Sequence, residues 1–254
     1  MPESPIRTSG ESRQFRRFRL DCALLTAPGR GRAVNEDRCL FAAPGEPEAE
    51  RADAGYLFCV ADGEADGKSG RSAANETVNS ILEILEDDRR TRLRPDLLSL
   101  RMHDANFRVT EFIQRRCAAS AVWVWEGNGA DLDVAWAHIG NTRLYHRRLQ
   151  GGWRQVTRDH AKGRLLDRAI GGGVGMEIDS GTLSLRPGEG LVLVTTGVWR
   201  SATPGNALAG VTNPTAAETV RRLVGQARLN GSAEDTSALA IHAGEFGADP
   251  EPEH

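Results

Sequence analysis

The stretch Gly55-Tyr-Leu-Phe-Cys-Val-Ala-Asp62-Gly63 carries the reading of the fold. Its apolar and aromatic run predicts a strand, and that strand stops on a carboxylate followed by glycine. Carboxylates at strand ends can meet on one sheet edge or between two sheets, where together they hold a hard cation. An Asp-Gly turn is the plainer reading of the same two residues. On the N-terminal side, LDCALLTA (20–27) and DRCLFAA (37–43) read as strands of the same kind. On the C-terminal side, Val78, Ile81, Leu82 and Leu85 recur at helical spacing. A second helix follows Pro95, with Leu98, Met102, Ala105, Val109, Phe112 and Ile113 on its stripe.

Beyond the helices, strands are predicted over 120–126, 131–139, 142–148, 153–157, 182–185 and 190–196. A helix opens at Asn213-Pro214 with Ala217, Val220, Val224 and Ala227 on one face, and TSALAIHA (236–243) is the last strand. Tight turns join most neighbouring strands, so antiparallel sheets covered by helices fit better than a doubly wound sheet. Residues 1–14 and 245–254 read as tails around one domain, 15–244.

Composition narrows the function. The chain has 254 residues, 39% hydrophobic and 26% charged, which excludes a disordered or collagen-like protein. No apolar run approaches the roughly 18 residues of a membrane helix. MPESPIRTSG lacks the apolar core of a signal peptide, so the expectation is a cytoplasmic protein. A net charge of −3 does not favour nucleic acid as the partner. The four cysteines form no C-x-x-C pair and read as buried free thiols. Gly171–Gly175 lacks the context of a nucleotide loop, and no G-x-S-x-G occurs.

Acidic residues at strand ends are the informative set. Arg32-Ala-Val-Asn35-Glu36-Asp37 leads into one strand, and Asp62-Gly63 ends another. An arginine in such company could hold a phosphate by bidentate hydrogen bonds, or be an ordinary surface residue. Asp62, Glu64 and Asp66 make D-x-E-x-D-G, but position 12 of a calcium loop falls on Ala73, so an EF-hand is excluded. Glu64 or Asp66 could instead rebuild a cation site.

Seven motifs, in order, resemble the metal-dependent PPM (PP2C-type) serine/threonine phosphatases of bacterial type. They are R-x-x-N-E-D at 32–37, V-A-D-G ending at 63, and H-I-G-N-T-R-L-Y at 138–145, which is similar to V-G-D-S-R-x-Y. V-T-R-D-H at 156–160 and L-L-D-R-A-I-G at 165–171 follow. L-V-L-V-T-T-G at 191–197 stands for L-L-L-x-S-D-G, and G-S-A-E-D-T-S at 231–237 for G-S-x-D-N-x-T. The resemblance implies a four-layer α-β-β-α sandwich of two antiparallel sheets, with Mn²⁺ or Mg²⁺ at one end. It further implies a phosphoprotein substrate, a partner kinase or regulator, and neither nucleic acid nor membrane as partner. Carried across, Arg32 orients phosphate, while Glu36, Asp37, Asp62 and the Gly63 carbonyl surround the metals.

The departures are specific. The S-D-G aspartate falls at Thr196, and the last metal aspartate at Glu234, or at Asp235 if the loop slips by one. Only four residues separate His160 from Leu165, where bacterial members carry a longer flap. Two divalent ions roughly 4 Å apart repel by about 17 kcal/mol at an effective dielectric near 20. Carboxylates are what offset that repulsion, and Thr196 removes one full charge. Glu234 moves its head group by about 1.5 Å, which Mg²⁺ tolerates poorly. The expectation is a phosphatase-like domain of weak or impaired activity, with an inactive pseudophosphatase that binds a protein or phosphopeptide as the alternative.

Overall fold

The computed structural model describes residues 7–14, 18–42, 55–64, 70–87, 94–127, 131–163, 165–209 and 214–245. Strand β4 (Tyr56–Gly63) shows why its sequence is apolar without a break. Leu57, Cys59 and Ala61 project to one side, into a core shared with helices, while Tyr56, Phe58 and Val60 project to the other, into a core between two sheets. Alternate side chains of a strand point to opposite faces, so a strand covered on both faces needs an apolar residue at every position.

The β4 sheet has five strands in the order β11 (Asp179–Leu185), β6 (Leu132–Ile139), β5 (Cys117–Glu126), β4 and β3 (Arg38–Ala42). The facing sheet has six, in the order β1 (Arg7–Gln14), β2 (Phe18–Ala27), β13 (Thr236–Glu245), β12 (Gly190–Val194), β7 (Arg143–Arg148) and β8 (Gly152–Gln155). Every pairing within both sheets is antiparallel. Helices α1 (Gly70–Leu82) and α2 (Arg94–Arg108) cover the outer face of the first sheet, packing Ala74, Ile81, Leu98 and Met102 onto it. A third, shorter pair of strands, β9 (Ala161–Lys162) and β10 (Leu165–Leu166), forms a small hairpin.

Two short helices, α3 (Thr196–Trp199) and α4 (Pro204–Ala207), follow β12. Helix α5 (Ala216–Leu229) covers the second sheet with Val220, Leu223 and Val224. The result is the expected helix–sheet–sheet–helix sandwich.

Among the boundaries that differ from the sequence expectation, three are informative. Residues 7–14 are not a tail: β1 pairs with β2 from Arg7↔Thr26 to Gln14↔Arg19. Its polar sequence, RTSGESRQ, suits an edge strand, where one ladder of backbone groups remains open to water. The strand predicted over 190–196 stops at Val194, and Thr196 opens a helical turn. The late helix begins at Ala216, two residues past Pro214, because the Thr215 hydroxyl caps it by accepting from the Glu218 N–H at 3.1 Å. Among the described residues, no helix is long and apolar enough to cross a membrane.

Candidate functional site

Five separate chain segments bring polar residues to one end of the two sheets. Asp37 precedes β3, Asp62 and Gly63 end β4, and Asn141 lies in the turn between β6 and β7. Thr195 and Thr196 follow β12, and Glu234 with Asp235 lead into β13. Between them is a cavity of about 130 Å³ lined by Arg32, Asp62, Gly63, Glu64, Asn141, Leu166, Thr196, Arg200, Glu234 and Asp235. Thus Arg32, Asp62, Gly63, Glu64, Glu234 and Asp235, each singled out from the sequence, share one cavity. Asp37 and Glu36 are buried beside it, and Asp66 lies outside the described residues.

Asp235 is fully engaged in holding the loops together. Its Oδ1 accepts the Gly29 N–H at 2.7 Å, and its Oδ2 accepts the Glu36 N–H at 2.8 Å and Arg32 Nη1 at 3.2 Å. Arg32 also donates through Nε to the Ala233 carbonyl at 2.9 Å and lies 3.6 Å from Glu36 Oε2. The R-x-x-N-E-D stretch therefore folds onto the 233–235 loop, and one carboxylate ties the 29–36 loop to it at three points. Gly197 makes that approach feasible. A Cβ there would sit 2.1 Å from the Asp235 carbonyl oxygen, so only glycine fits.

Asp37 and Asp62 form the carboxylate side of the cleft. Asp37 Oδ2 accepts from the hydroxyls of Thr195 and Ser237, each at 2.7 Å. Its Oδ1 is buried without a hydrogen-bond partner among the described residues. Burial, followed by the charges of Asp62 and Asp235, pushes Asp37 well above the usual carboxylate range, against the pull of the two hydroxyls. Burial likewise raises Asp62, with Glu234 adding to the shift and hydrogen bonds with Thr196 and Asp37 opposing it.

The opposite side is built from neutral and cationic groups. The Thr196 N–H donates to Asp62 Oδ2 at 2.9 Å, and its hydroxyl donates to Asn141 Oδ1 at 3.1 Å. Asn141 stands where the resembled V-G-D-S-R motif has its aspartate, so two positions of acidic type are occupied by a neutral hydrogen-bonded pair. The Asn141 carbonyl accepts from Trp199 Nε1 at 2.7 Å, which fixes the turn against α3. Glu234 Oε1 is ion-paired to Arg200 Nη1 at 2.7 Å, and Arg200 Nη2 reaches the Gly163 carbonyl at 3.2 Å. The β9–β10 hairpin is held from its other strand by Arg116 Nη2, 2.8 Å from the Leu166 carbonyl. Glu64, exposed at the cleft edge, has its carboxylate 3.9 Å from Arg116 Nε.

Sequence reasoning missed Asn141, Thr195, Arg200 and Ser237. Arg200 had a readable signal: it lies four residues after Thr196, one helical turn, so both reach the same cleft. The hydroxyls of Thr195 and Ser237 had none. Their role depends on a contact between β12 and β13 that brings both onto Asp37. His138 and His160 are buried: His138 contacts Ser120 and the Arg158 carbonyl, and His160 contacts Asp179 at 2.9 Å.

Comparison with solved structures matches the whole sandwich. The phosphatase MsPP from Mycobacterium smegmatis, solved with cacodylate, is 26% identical with a TM-score of 0.68, over 87% of this chain and 97% of that one. The catalytic domain of the serine/threonine phosphatase PstP, solved with two manganese ions, is 21% identical with a TM-score of 0.72, over 89% and 99%. PppA, described as a key regulatory component of T6SS in Pseudomonas aeruginosa, is 21% identical with a TM-score of 0.71, over 92% and 100%. No protein-family model matches the sequence, and no curated protein matches it. The chain has the fold of the PPM (PP2C-type) serine/threonine phosphatases, with two antiparallel sheets between helical layers.

Proposed function

We propose that this chain is a PPM-type phosphatase-like domain that recognises phosphoproteins of a kinase pathway with little or no turnover, as a cytoplasmic regulator. The observation that carries the reading is the Thr196–Asn141 hydrogen bond, with Thr196 N–H turned onto Asp62. Two carboxylates in those places would need a cation between them; a hydroxyl and an amide satisfy each other without one. Glu234 is neutralised in the same way by Arg200. A pair of Mn²⁺ or Mg²⁺ ions does not fit this donor set. Among the described residues, no group of three or more His, Cys, Asp or Glu is arranged to hold a metal ion. Asp235, the slipped alternative to Glu234, has both oxygens committed to backbone N–H groups and Arg32.

A second reading is weak hydrolysis with a single cation at Asp37 and Asp62. The buried Asp37 and Asp62 carboxylates, each raised by burial and by a neighbouring carboxylate, favour it, because like charges held together are costly unless a cation or a proton offsets them. Hydrolysis of an aryl phosphate in millimolar Mn²⁺ separates the two, with Asp62→Ala as control. The regulator reading expects equal rates for both proteins and capture of a phosphorylated partner that persists in chelator. Mn²⁺-dependent turnover that Asp62→Ala abolishes would select the second reading, and loss of capture in chelator would count against the first.

A further inference from the structure

The Arg200–Glu234 pair lines the same cavity as Asp62. Arg200 Nη1 is 2.7 Å from Glu234 Oε1, Nη2 is 3.2 Å from the Gly163 carbonyl, and the guanidinium lies 5.4 Å from the centre of the Trp199 ring. The side chain is thus held at three points and is only 23% exposed. Trp199 is itself fixed, by its Nε1 bond to Asn141 and by Arg143 stacked 3.4 Å over the ring. Arg200 is therefore an ordered, cationic part of the site.

From this we infer that Arg200 is a resident cation that takes up Glu234 and makes this side of the cleft independent of divalent metal. The inference rests on the poor fit of a metal pair described above and goes further, since it makes the Arg200–Glu234 pair the determinant of how tightly this wall binds a divalent ion. Two consequences follow from the contacts. The Glu234 carboxylate is already neutralised, so a divalent ion gains little there. Such an ion would also face the guanidinium: at a separation of about 5 Å, even water-like screening leaves enough repulsion to weaken binding by roughly tenfold. The contact to Gly163 adds a structural role, because the same side chain anchors the β9–β10 hairpin at the cleft rim.

The test uses the full chain, manganese as the probe, and melting temperature and calorimetric affinity as readouts. Wild type is expected to melt at the same temperature in chelator and in millimolar Mn²⁺. Arg200→Gln is expected to melt about 2–4 °C lower in chelator, to recover in Mn²⁺, and to bind Mn²⁺ roughly tenfold more tightly than wild type. Equal manganese stabilisation of both proteins, or no gain in affinity for Arg200→Gln, overturns the inference. Should Arg200→Gln not fold, the double variant Arg200→Gln with Glu234→Gln decides, because it removes both charges of the pair together: unchanged or tighter manganese binding supports the inference, and a tenfold loss overturns it. None of these readouts is turnover, so a wild type that hydrolyses aryl phosphate would sink the non-catalytic reading while leaving the role of Arg200 standing.

Discussion

On the β3–β4 side of the cleft, Asp37 and Asp62 are carboxylates held by hydroxyl and backbone donors, and both are pushed toward the protonated form. On the β12–β13 side, Thr196 meets Asn141 and Glu234 meets Arg200, so no charge is left unbalanced. The sandwich delivers both sides to one place, yet only the first retains the electrostatic strain that a cation would relieve. On the function proposed above, the difference means that a fold can be kept while its charge requirement is removed by a few exchanges on one wall. Asp235 belongs to neither pattern: it is a structural clamp whose charge is spent on Arg32 and two backbone N–H groups.

The largest expected effect breaks the frame that both sides share. Gly197→Ala places a Cβ 2.1 Å from the Asp235 carbonyl oxygen, so the loop must move. A loss of about 2–3 kcal/mol is expected by urea denaturation, whereas Gly205→Ala, with open space around its Cβ, should stay within about 0.5 kcal/mol. Equal stabilities for the two variants would contradict the packing at Gly197. Next is Asp235→Ala, which leaves the buried Gly29 and Glu36 N–H groups unpaired and frees Arg32. About 2 kcal/mol of stability should be lost, with no change in manganese affinity measured by calorimetry. A strong fall in that affinity would mean that Asp235 serves a metal.

Asp62→Asn sharpens the contrast with a smaller effect of opposite sign. Asp37 and Asp62 are raised in the folded chain above their ordinary value of 3.8. Between that value and the raised ones, the folded state binds more protons than the unfolded state, so stability falls as pH rises through the window. The favourable contribution is complete below 3.8 and lost once pH passes the folded values. In chelator at pH 7.5, removing the Asp62 charge should raise the melting temperature by about 2–4 °C, and the gain should shrink toward pH 4. A variant less stable than wild type at neutral pH would refute this sign.

Much of this was legible in the sequence, for reasons visible in particular elements. The GYLFCVADG run identified β4 because a strand buried on both faces has no polar position to blur its pattern. Asp62 was legible because it ends that run, and Arg32, Glu36 and Asp37 because they keep a recognisable order. β1 was not legible, since an edge strand of RTSGESRQ needs no apolar face and looks like a tail. Arg200 and Asn141 each carried a sequence signal, the helical spacing from Thr196 and the aspartate position of V-G-D-S-R, but their partners are far along the chain: Glu234 is 34 residues from Arg200, and Thr196 is 55 from Asn141. Glu234 itself was singled out, but as a metal ligand, because nothing in G-S-A-E-D reveals the guanidinium opposite.

The most direct test of the central claim, that one wall of the cleft has exchanged its metal requirement for internal partners, is a calorimetric titration of Mn²⁺ into chelator-stripped wild type. The account predicts fewer than two manganese ions per chain, with none lost in Glu234→Gln. Two ions bound per chain, one of them lost in that variant, would contradict it.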